Sequence, residues 1–155
     1  MRKSIIGLLL AFGAIAAMPA QAFDSDWRVK GGLLSIENDD SAALNAGLIY
    51  AMDFVGIIGA EFEANTSIAD GEIVSGLDYS ATQLGGYATL TTPGPIYFKA
   101  KAGYVYTDLD TDLGGDSDTD VSYGIGAGFF GLELEYTRTT YQDTDIDFLS
   151  LAYGF

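Results

Sequence analysis

The fold is decided by the stretch IYFKAKAGYVYT at residues 96–107. Its residues alternate between an apolar or aromatic series and a second series that carries both lysines. Alternation with a period of two predicts a β-strand with two chemically different faces. A face rich in charge and glycine would make a poor core for a soluble protein. In a membrane barrel the pattern is expected, because apolar side chains face lipid and polar or small ones face the lumen.

Other segments alternate in the same way and bring the predicted total to eight strands. These are residues 27–37, 44–53, 57–65, 78–90, 96–107, 120–129, 132–141 and 145–155. Segments of about 10 residues suit a tilted strand that crosses a membrane. The sequence therefore predicts an all-β fold, an eight-stranded antiparallel up-and-down transmembrane β-barrel, because only a closed sheet pairs every backbone group in lipid. A soluble periplasmic barrel is the alternative.

The predicted connections alternate in length and charge. Turns near residues 53–56, 91–95 and 130–131 are short and almost free of acids, whereas the others are longer or more polar and acidic. Short periplasmic turns and longer outer loops are typical of outer-membrane barrels. We also expect two aromatic belts. The inner belt comprises Trp27, Phe54, Phe129, Tyr153 and Phe155, and the outer belt comprises Tyr79, Tyr104, Tyr106, Tyr123 and Tyr141.

The amino terminus has the pattern of a cleavable helical signal peptide. Arg2 and Lys3 precede an almost entirely apolar run, and Ala20 and Ala22 supply the small residues that signal peptidase reads. We predict that residues 1–22 are the signal peptide and that residues 23–155 form one barrel domain. A retained helical anchor is disfavoured, because the apolar run is short for a membrane helix.

Composition excludes several classes of function. The chain has 155 residues, with 7 Lys and Arg against 22 Asp and Glu, and its net charge of −15 argues against nucleic-acid binding. It has no His and no Cys, which excludes disulfides, Cys/His zinc sites and Ser-His hydrolase chemistry. A couple of Ser80 or Ser122 with Lys99 or Lys101 has no distinctive spacing. We therefore expect no catalysis.

The inward faces of four predicted strands carry equal numbers of cations and anions. An unpaired charge inside a narrow lumen is costly, so we expect these groups to form a salt-bridge network. An eight-stranded barrel has room for side chains and little else, which favours a closed lumen. A narrow pore or small-ligand channel, gated when the ion pairs rearrange, is the alternative. The expected network comprises Arg28, Lys30, Glu61, Glu63, Lys99, Lys101, Glu133 and Glu135.

The acids are densest between Asp108 and Asp120, in a predicted outer loop. Solvation of the loop explains them, and loose association of Ca²⁺ or Mg²⁺ is an alternative, since both ions prefer oxygen ligands. A specific EF-hand site is disfavoured, because Leu113 stands in place of the turn glycine and Thr119 in place of the bidentate glutamate. The candidate ligands are Asp108, Asp110, Asp112, Asp116, Asp118 and Asp120. We expect no other cofactor.

Together these features resemble the small eight-stranded outer-membrane barrels of the OmpA-like and OmpX-like family. The resemblance rests on the signal peptide, the opening Asp26-Trp27, the strand at 97–104, the segment LEYTR at 134–138 and the terminal LSLAYGF at 149–155. It implies a monomer in the bacterial outer membrane, in contact with its lipids and lipopolysaccharide. Periplasmic chaperones and the barrel-insertion machinery are implied partners. The insertion signal that the resemblance implies comprises Leu149, Leu151, Tyr153 and Phe155.

The sequence ends at Phe155 without the peptidoglycan-binding domain of full OmpA-type proteins, so we expect no tethering to the cell wall. The expected function is a non-catalytic structural and surface role, in envelope integrity or in surface interaction through the acidic loops. The alternatives are the narrow pore and a loop-mediated adhesin.

Overall fold

Strands make up almost all of the described chain, as the alternation predicts. The computed structural model describes residues 24–36, 42–54, 56–69, 71–72, 78–111, 114–141 and 144–155, so the predicted signal peptide lies outside the described residues. No helix in these ranges is long and apolar enough to cross a membrane. The strands are β1 (Asp24–Ile36), β2 (Ala43–Asp53), β3 (Ile58–Ala69), β4 (Gly71–Glu72), β5 (Asp78–Thr91), β6 (Ile96–Thr111), β7 (Gly114–Phe129), β8 (Leu132–Tyr141) and β9 (Thr144–Gly154).

The eight long strands form one closed antiparallel barrel. Hydrogen-bonded neighbours follow the order β3-β2-β1-β9-β8-β7-β6-β5, and pairing of β3 with β5 completes the ring. The two-residue β4 pairs only with the first residues of β5. A closed ring satisfies the backbone hydrogen bonds that lipid cannot satisfy. The predicted eight-stranded barrel is therefore confirmed.

The two faces of the sheet have opposite character. Outward-facing side chains are apolar and exposed on the protein surface, with Phe98 at 64% and Ile125 at 66%. Inward-facing side chains include buried charged groups such as Lys99 and Glu133. Apolar atoms therefore face outwards and charged atoms face the lumen, which is the arrangement of a barrel embedded in lipid.

The two ends of the barrel differ in their connections. The short turns after β2, β5 and β7 lie at the same end as the start of β1 and the end of β9. We assign this end to the periplasm, because short turns are typical of that side. The turn after β7 is the tightest, with positive φ angles of 48° at Phe130 and 83° at Gly131. The opposite end of the barrel carries the predicted outer loops.

The structure corrects the predicted extent of several strands. β6 and β7 continue as a paired hairpin through most of the predicted third outer loop, as far as Thr111 and Gly114. β3 continues to Ala69, and β4 lies within the predicted second loop. These extensions were missed because aspartates, threonines and glycines give no apolar series for the period of two to mark.

The outer aromatic belt is smaller than predicted. Its exposed members are Tyr104, Tyr106 and Tyr123. The prediction that Tyr79 and Tyr141 belong to it is wrong, because both lie inside the barrel, at 1% and 7% exposure. The strand register explains the error: Tyr79 shares the inward face of β5 with Ala81, and Tyr141 shares the inward face of β8 with Thr139.

Close packing of the inner wall predicts a cost for enlarging Gly103. A Cβ atom at this position would lie 1.9 Å from the backbone oxygen of Gly86 on the neighbouring strand, which the β5–β6 pairing holds in place. We expect Gly103→Ala to lower the free energy of unfolding by about 1–3 kcal/mol, the usual range for overpacking. Urea titration in detergent micelles, followed by fluorescence of the single tryptophan, measures this change.

Gly31→Ala is the matched control for this experiment. Its new Cβ atom would meet only the backbone oxygen of Asn45, at an ordinary contact distance of 3.7 Å. The control should therefore unfold close to the midpoint of the parent protein. Equal midpoints for the Gly31→Ala and Gly103→Ala variants would contradict the prediction.

Candidate functional site in the lumen

Four strands place charged side chains inside the lumen, each as a pair two residues apart. Residues with this spacing point to the same side of a strand. The charged strands β1, β8, β6 and β3 are every second strand of the ring, so positive and negative pairs alternate around it. The pairs are Arg28 and Lys30 on β1, Glu133 and Glu135 on β8, Lys99 and Lys101 on β6, and Glu61 and Glu63 on β3.

The first residues of each pair form a lower tier, nearer the periplasmic end. Lys99 Nζ lies 2.9 Å from both carboxylate oxygens of Glu61 and also donates to Glu133. Arg28 Nη1 lies 3.0 Å from Glu133 Oε2 and 3.4 Å from Glu61 Oε1. Each cation of the tier therefore lies between two glutamates, and each glutamate between two cations.

The second residues form an upper tier. Lys30 Nζ donates to Glu63 Oε2 at 2.6 Å, and Lys101 Nζ donates to Glu135 Oε1 at 2.7 Å and to Glu63. A contact of 2.6 Å between Lys99 Nζ and Glu135 Oε2 joins the two tiers. The structure thus brings all eight predicted residues into one network, which we call the ion network.

Burial makes this pairing necessary. Seven of the eight side chains are 3% exposed or less, and the Arg28 side chain is 14% exposed. Removing these charges from water costs several kcal/mol per ion, and only close pairing offsets that cost. The ion network contains four cations and four anions, so its formal charges cancel.

The strands between the charged ones leave space for these long side chains. β7 faces the ion network with glycines alone over the corresponding positions. A Cβ atom on Gly124 would lie 3.0 Å from Cε of Lys101, and one on Gly128 would lie 2.1 Å from the ring of Tyr97. The glycines are therefore part of the site, and they are Gly124, Gly126 and Gly128.

Sequence reasoning missed two groups at the periplasmic edge of the network. Asp26 adds a carboxylate, with its Oδ2 atom 2.7 Å from Arg28 Nε. The Tyr97 hydroxyl donates to Glu133 Oε2 at 2.9 Å. Both residues share the inward face of their strand with a predicted network residue, so the alternation already contained the signal that would have found them.

Aromatic rings cover the upper tier. Lys101 Nζ lies 4.2 Å from the centre of the Tyr87 ring, and Lys30 Nζ lies 4.7 Å from that of Phe148. Both distances are within the range of cation–π attraction. The Tyr87 hydroxyl also donates to Ser122 Oγ at 3.2 Å. No pattern in the sequence distinguishes these lumen aromatics from membrane-facing ones except the register of their strands.

A cavity of about 280 Å³ opens at the periplasmic end of the barrel. Its wall reaches Arg28 and Glu61 of the lower tier, and Tyr97, Thr91 and Asp53 lie nearer its mouth. We call this cavity the vestibule. Solvent from the periplasmic side therefore reaches the lower surface of the ion network.

Three buried glutamates come close enough to suggest a metal site. Carboxylate oxygens of Glu61, Glu63 and Glu135 lie within 4.8 Å of one another. The ammonium groups of Lys99 and Lys101 already contact these carboxylates. A divalent cation would face those ammonium groups at short range, so the donor set does not fit a metal ion.

The described aspartates of the outer hairpin do not converge on one point. The hairpin comprises residues 107–111 of β6 and 114–121 of β7, and Asp112 lies outside the described residues. Cross-strand pairing places Asp108 and Asp110 on the outward face of the hairpin. The other face, which continues the lumen wall, carries Asp116, Asp118 and Asp120. The described ligands predicted for one cation therefore lie on opposite faces.

The two remaining groups of predicted site residues lie at the ends of the chain. Ala20 and Ala22 of the predicted cleavage site are outside the described residues. The C-terminal residues alternate outwards along β9, and the Phe155 backbone N–H donates to the Trp27 oxygen at 3.1 Å. These outward residues are Leu149, Leu151, Tyr153 and Phe155, between 50% and 75% exposed.

An apolar outer surface around a charge-filled lumen defines an integral membrane β-barrel protein. Residues 6–155 match the family described as the outer membrane protein beta-barrel domain, and the chain belongs to this family. It is therefore an integral protein of the bacterial outer membrane. A search of the curated proteins gives no match.

Solved structures with a similar fold have low sequence identity. Neisserial surface protein A (NspA) aligns with a TM-score of 0.63 at 12% identity, over 88% of this chain and 98% of that chain. Ail of Yersinia pestis, solved in complex with the heparin analogue sucrose octasulfate, gives 0.62 at 15%, over 84% and 97%. The N-terminal β-barrel domain of Pseudomonas aeruginosa OprF gives 0.58 at 9%, over 84% and 97%. Such likeness shows the fold alone.

The shared partners within the ion network predict strong energetic coupling. Lys101→Met leaves Glu63 and Glu135 buried without this cation, and we expect it to lower the free energy of unfolding by about 3–5 kcal/mol. Glu63→Gln in the Lys101→Met background should recover part of the loss, because one uncompensated carboxylate disappears. Urea titration of the two single variants and the double variant measures the coupling.

Arg138→Met is the control for this cycle. It breaks the contact of 2.7 Å with Asp147, but the two side chains are 35% and 31% exposed, so water screens the pair and the loss should be much smaller. Additive effects of Lys101→Met and Glu63→Gln would show that the network does not act as a unit.

Proposed function

We propose that the protein is a non-catalytic structural barrel with a closed lumen, and that it acts at the cell surface through its acidic outer hairpin. The observation that carries the proposal is the ion network, whose eight side chains cross the lumen from four strands and contact one another. An eight-stranded barrel has room for little beyond its own side chains. Filling by paired charges therefore favours a structural role over transport.

The surroundings of the lumen serines and lysines support the absence of catalysis. Ser122 Oγ accepts a hydrogen bond from the Tyr87 hydroxyl and donates to the Arg138 backbone oxygen. Lys99 and Lys101 contact glutamates with their ammonium groups. A lysine held as a charged partner does not act as the base that a serine nucleophile needs. The sequence has no histidine to replace it.

The outer hairpin supports a surface role because one of its edges has no paired strand among the described residues: its β6 half pairs with β5, but its β7 half pairs with nothing on the β8 side. β7 pairs with β8 only from Ser122 onwards, so residues 114–121 pair with β6 alone. Its exposed carboxylates favour cationic groups, or divalent cations that bridge to lipopolysaccharide phosphates. The sucrose octasulfate in the Ail structure is an anion, and the carboxylates of this hairpin would repel such a ligand.

The remaining proposed partners are the proteins that deliver the chain to the outer membrane and insert it there. The outward series on β9 that ends at Phe155 offers an apolar edge for the barrel-insertion machinery, after periplasmic chaperones have delivered the chain. Because the β3–β5 pairing closes the barrel within one chain, every long strand has a hydrogen-bonded neighbour on both sides without a second copy of the chain. We therefore propose that the protein is a monomer.

A closed lumen predicts that the protein does not conduct ions across a membrane. The folded protein in planar lipid bilayers should show no stable channel openings, and the Lys101→Ala and Glu135→Ala variants should also show none. Electrophoretic mobility before and after boiling establishes that each sample is folded. Stable openings of the parent protein that either substitution abolishes would overturn the proposal and establish the narrow pore instead.

A further inference from the structure

The outer end of the lumen is filled by an apolar cluster in place of charges. Its members come from five strands and are at most 7% exposed, with Ile36 and Leu109 packed against them. Phe148 of this cluster contacts Lys30 of the upper tier, so the cluster touches the ion network at this point. We call it the outer seal, and it comprises Leu34, Ala43, Tyr79, Ala81, Tyr141, Ile146 and Phe148.

Tyr79 links three strands of the outer seal by hydrogen bonds. Its hydroxyl donates to the Leu34 backbone oxygen on β1 at 3.0 Å and accepts from the Ala43 N–H on β2 at 3.3 Å. In the ring, β3 and β2 separate β5 from β1. The side chain therefore extends across part of the lumen, to strands that lie two and three positions away in the ring. The Tyr141 hydroxyl, in the same cluster, has no hydrogen-bond partner among the described residues.

The two ends of the lumen are thus unlike each other. At the periplasmic end, the vestibule brings solvent to the lower tier. At the outer end, buried apolar side chains separate the upper tier from the outside. A constriction lined by apolar groups opposes ions strongly, because it does not hold a continuous column of water.

We propose that the outer seal, held by Tyr79, is the barrier that closes the lumen to the outside of the cell. The ion network then fills and cross-links the barrel and meets solvent only through the vestibule. Rearrangement of its ion pairs does not open a path, because the outer seal lies beyond them. This inference rests on the proposed closed lumen and states where the closure is.

Single cysteines test the barrier without background, because the chain has no cysteine of its own. Ser150→Cys is nearly isosteric and places a thiol two residues below Phe148, at a position that is 2% exposed. Thr91→Cys reports the vestibule. Ser117→Cys reports the outer hairpin and so the orientation of the protein. The purified full-length barrel is inserted into porin-free lipid vesicles, and a small charged methanethiosulfonate is added outside.

In the population whose hairpin faces outwards, Ser117→Cys should react at once, and Ser150→Cys should stay protected. Tyr79→Phe in the Ser150→Cys background should raise the reaction rate about tenfold, because opening no longer breaks two hydrogen bonds. Tyr79→Ala should raise the rate further, since it also removes the ring. Tyr141→Phe is the matched control and should leave the rate unchanged. Thr91→Cys should react only when the reagent reaches the periplasmic end.

Rapid reaction of Ser150→Cys from the hairpin side, with Tyr79 in place, would overturn the inference. So would equal rates for the Tyr79→Phe and Tyr141→Phe variants. The Tyr79→Phe comparison decides the matter even where Tyr79→Ala does not fold. Failure of the closed-barrel proposal is distinguishable, because the parent protein would then conduct in planar bilayers. A silent barrel with a reactive Ser150→Cys would refute the outer seal alone.

Discussion

Alternating charge around the lumen is the constraint on which the rest of this barrel depends. Within the ion network, strands with two inward charges of one sign are separated by strands that contribute no charge to it, so every charged strand has oppositely charged strands on both sides across a spacer. A shift of one residue in a charged strand would turn its inward charges, such as Arg28 on β1 or Glu61 on β3, towards lipid. A shift of two residues would offset the tiers and leave a buried charge unpaired. The ion network therefore specifies strand register and ring closure together.

The contents of the lumen follow from where these charges lie. Long side chains from four strands need space, and the glycines of β7 supply it, as the close approach of Tyr97 to Gly128 shows. Below the charges, the wall opens into the vestibule. Above them, the apolar side chains of the outer seal exclude water and lower the local dielectric, which strengthens each ion pair in the upper tier. The lumen therefore passes from the solvated vestibule through paired charges to buried uncharged side chains.

Most of the barrel could be predicted from the sequence because its pattern has a period of two along nearly every strand. Pairs such as Glu133 and Glu135 also identify the inward face of their strand, since residues two apart in a strand share a face and charged groups avoid lipid. The outer end could not be predicted. Tyr79 lies at the start of β5, where too few residues precede it in the strand for the alternation to show which face it is on. The sequence there does not distinguish a tyrosine in the lumen from one in the aromatic belt. Asp108 and Asp116 lie on different strands, so whether they converge depends on how the two strands of the hairpin pair. The spacing of residues along one strand does not predict that pairing.

The same pairing gives the hairpin acids a physical role that requires no cation. Residues 114–121 of β7 have a strand partner on one side only, and an unpaired strand edge recruits other strands. The carboxylate of Asp116 accepts the Ser117 N–H at 2.9 Å, and that of Asp118 accepts the Thr119 N–H at 2.7 Å. Backbone donors that would bind a passing strand are thereby satisfied, and the negative charges repel a second copy of the hairpin. The density of aspartate in this segment is thus explained by the protection of an exposed edge.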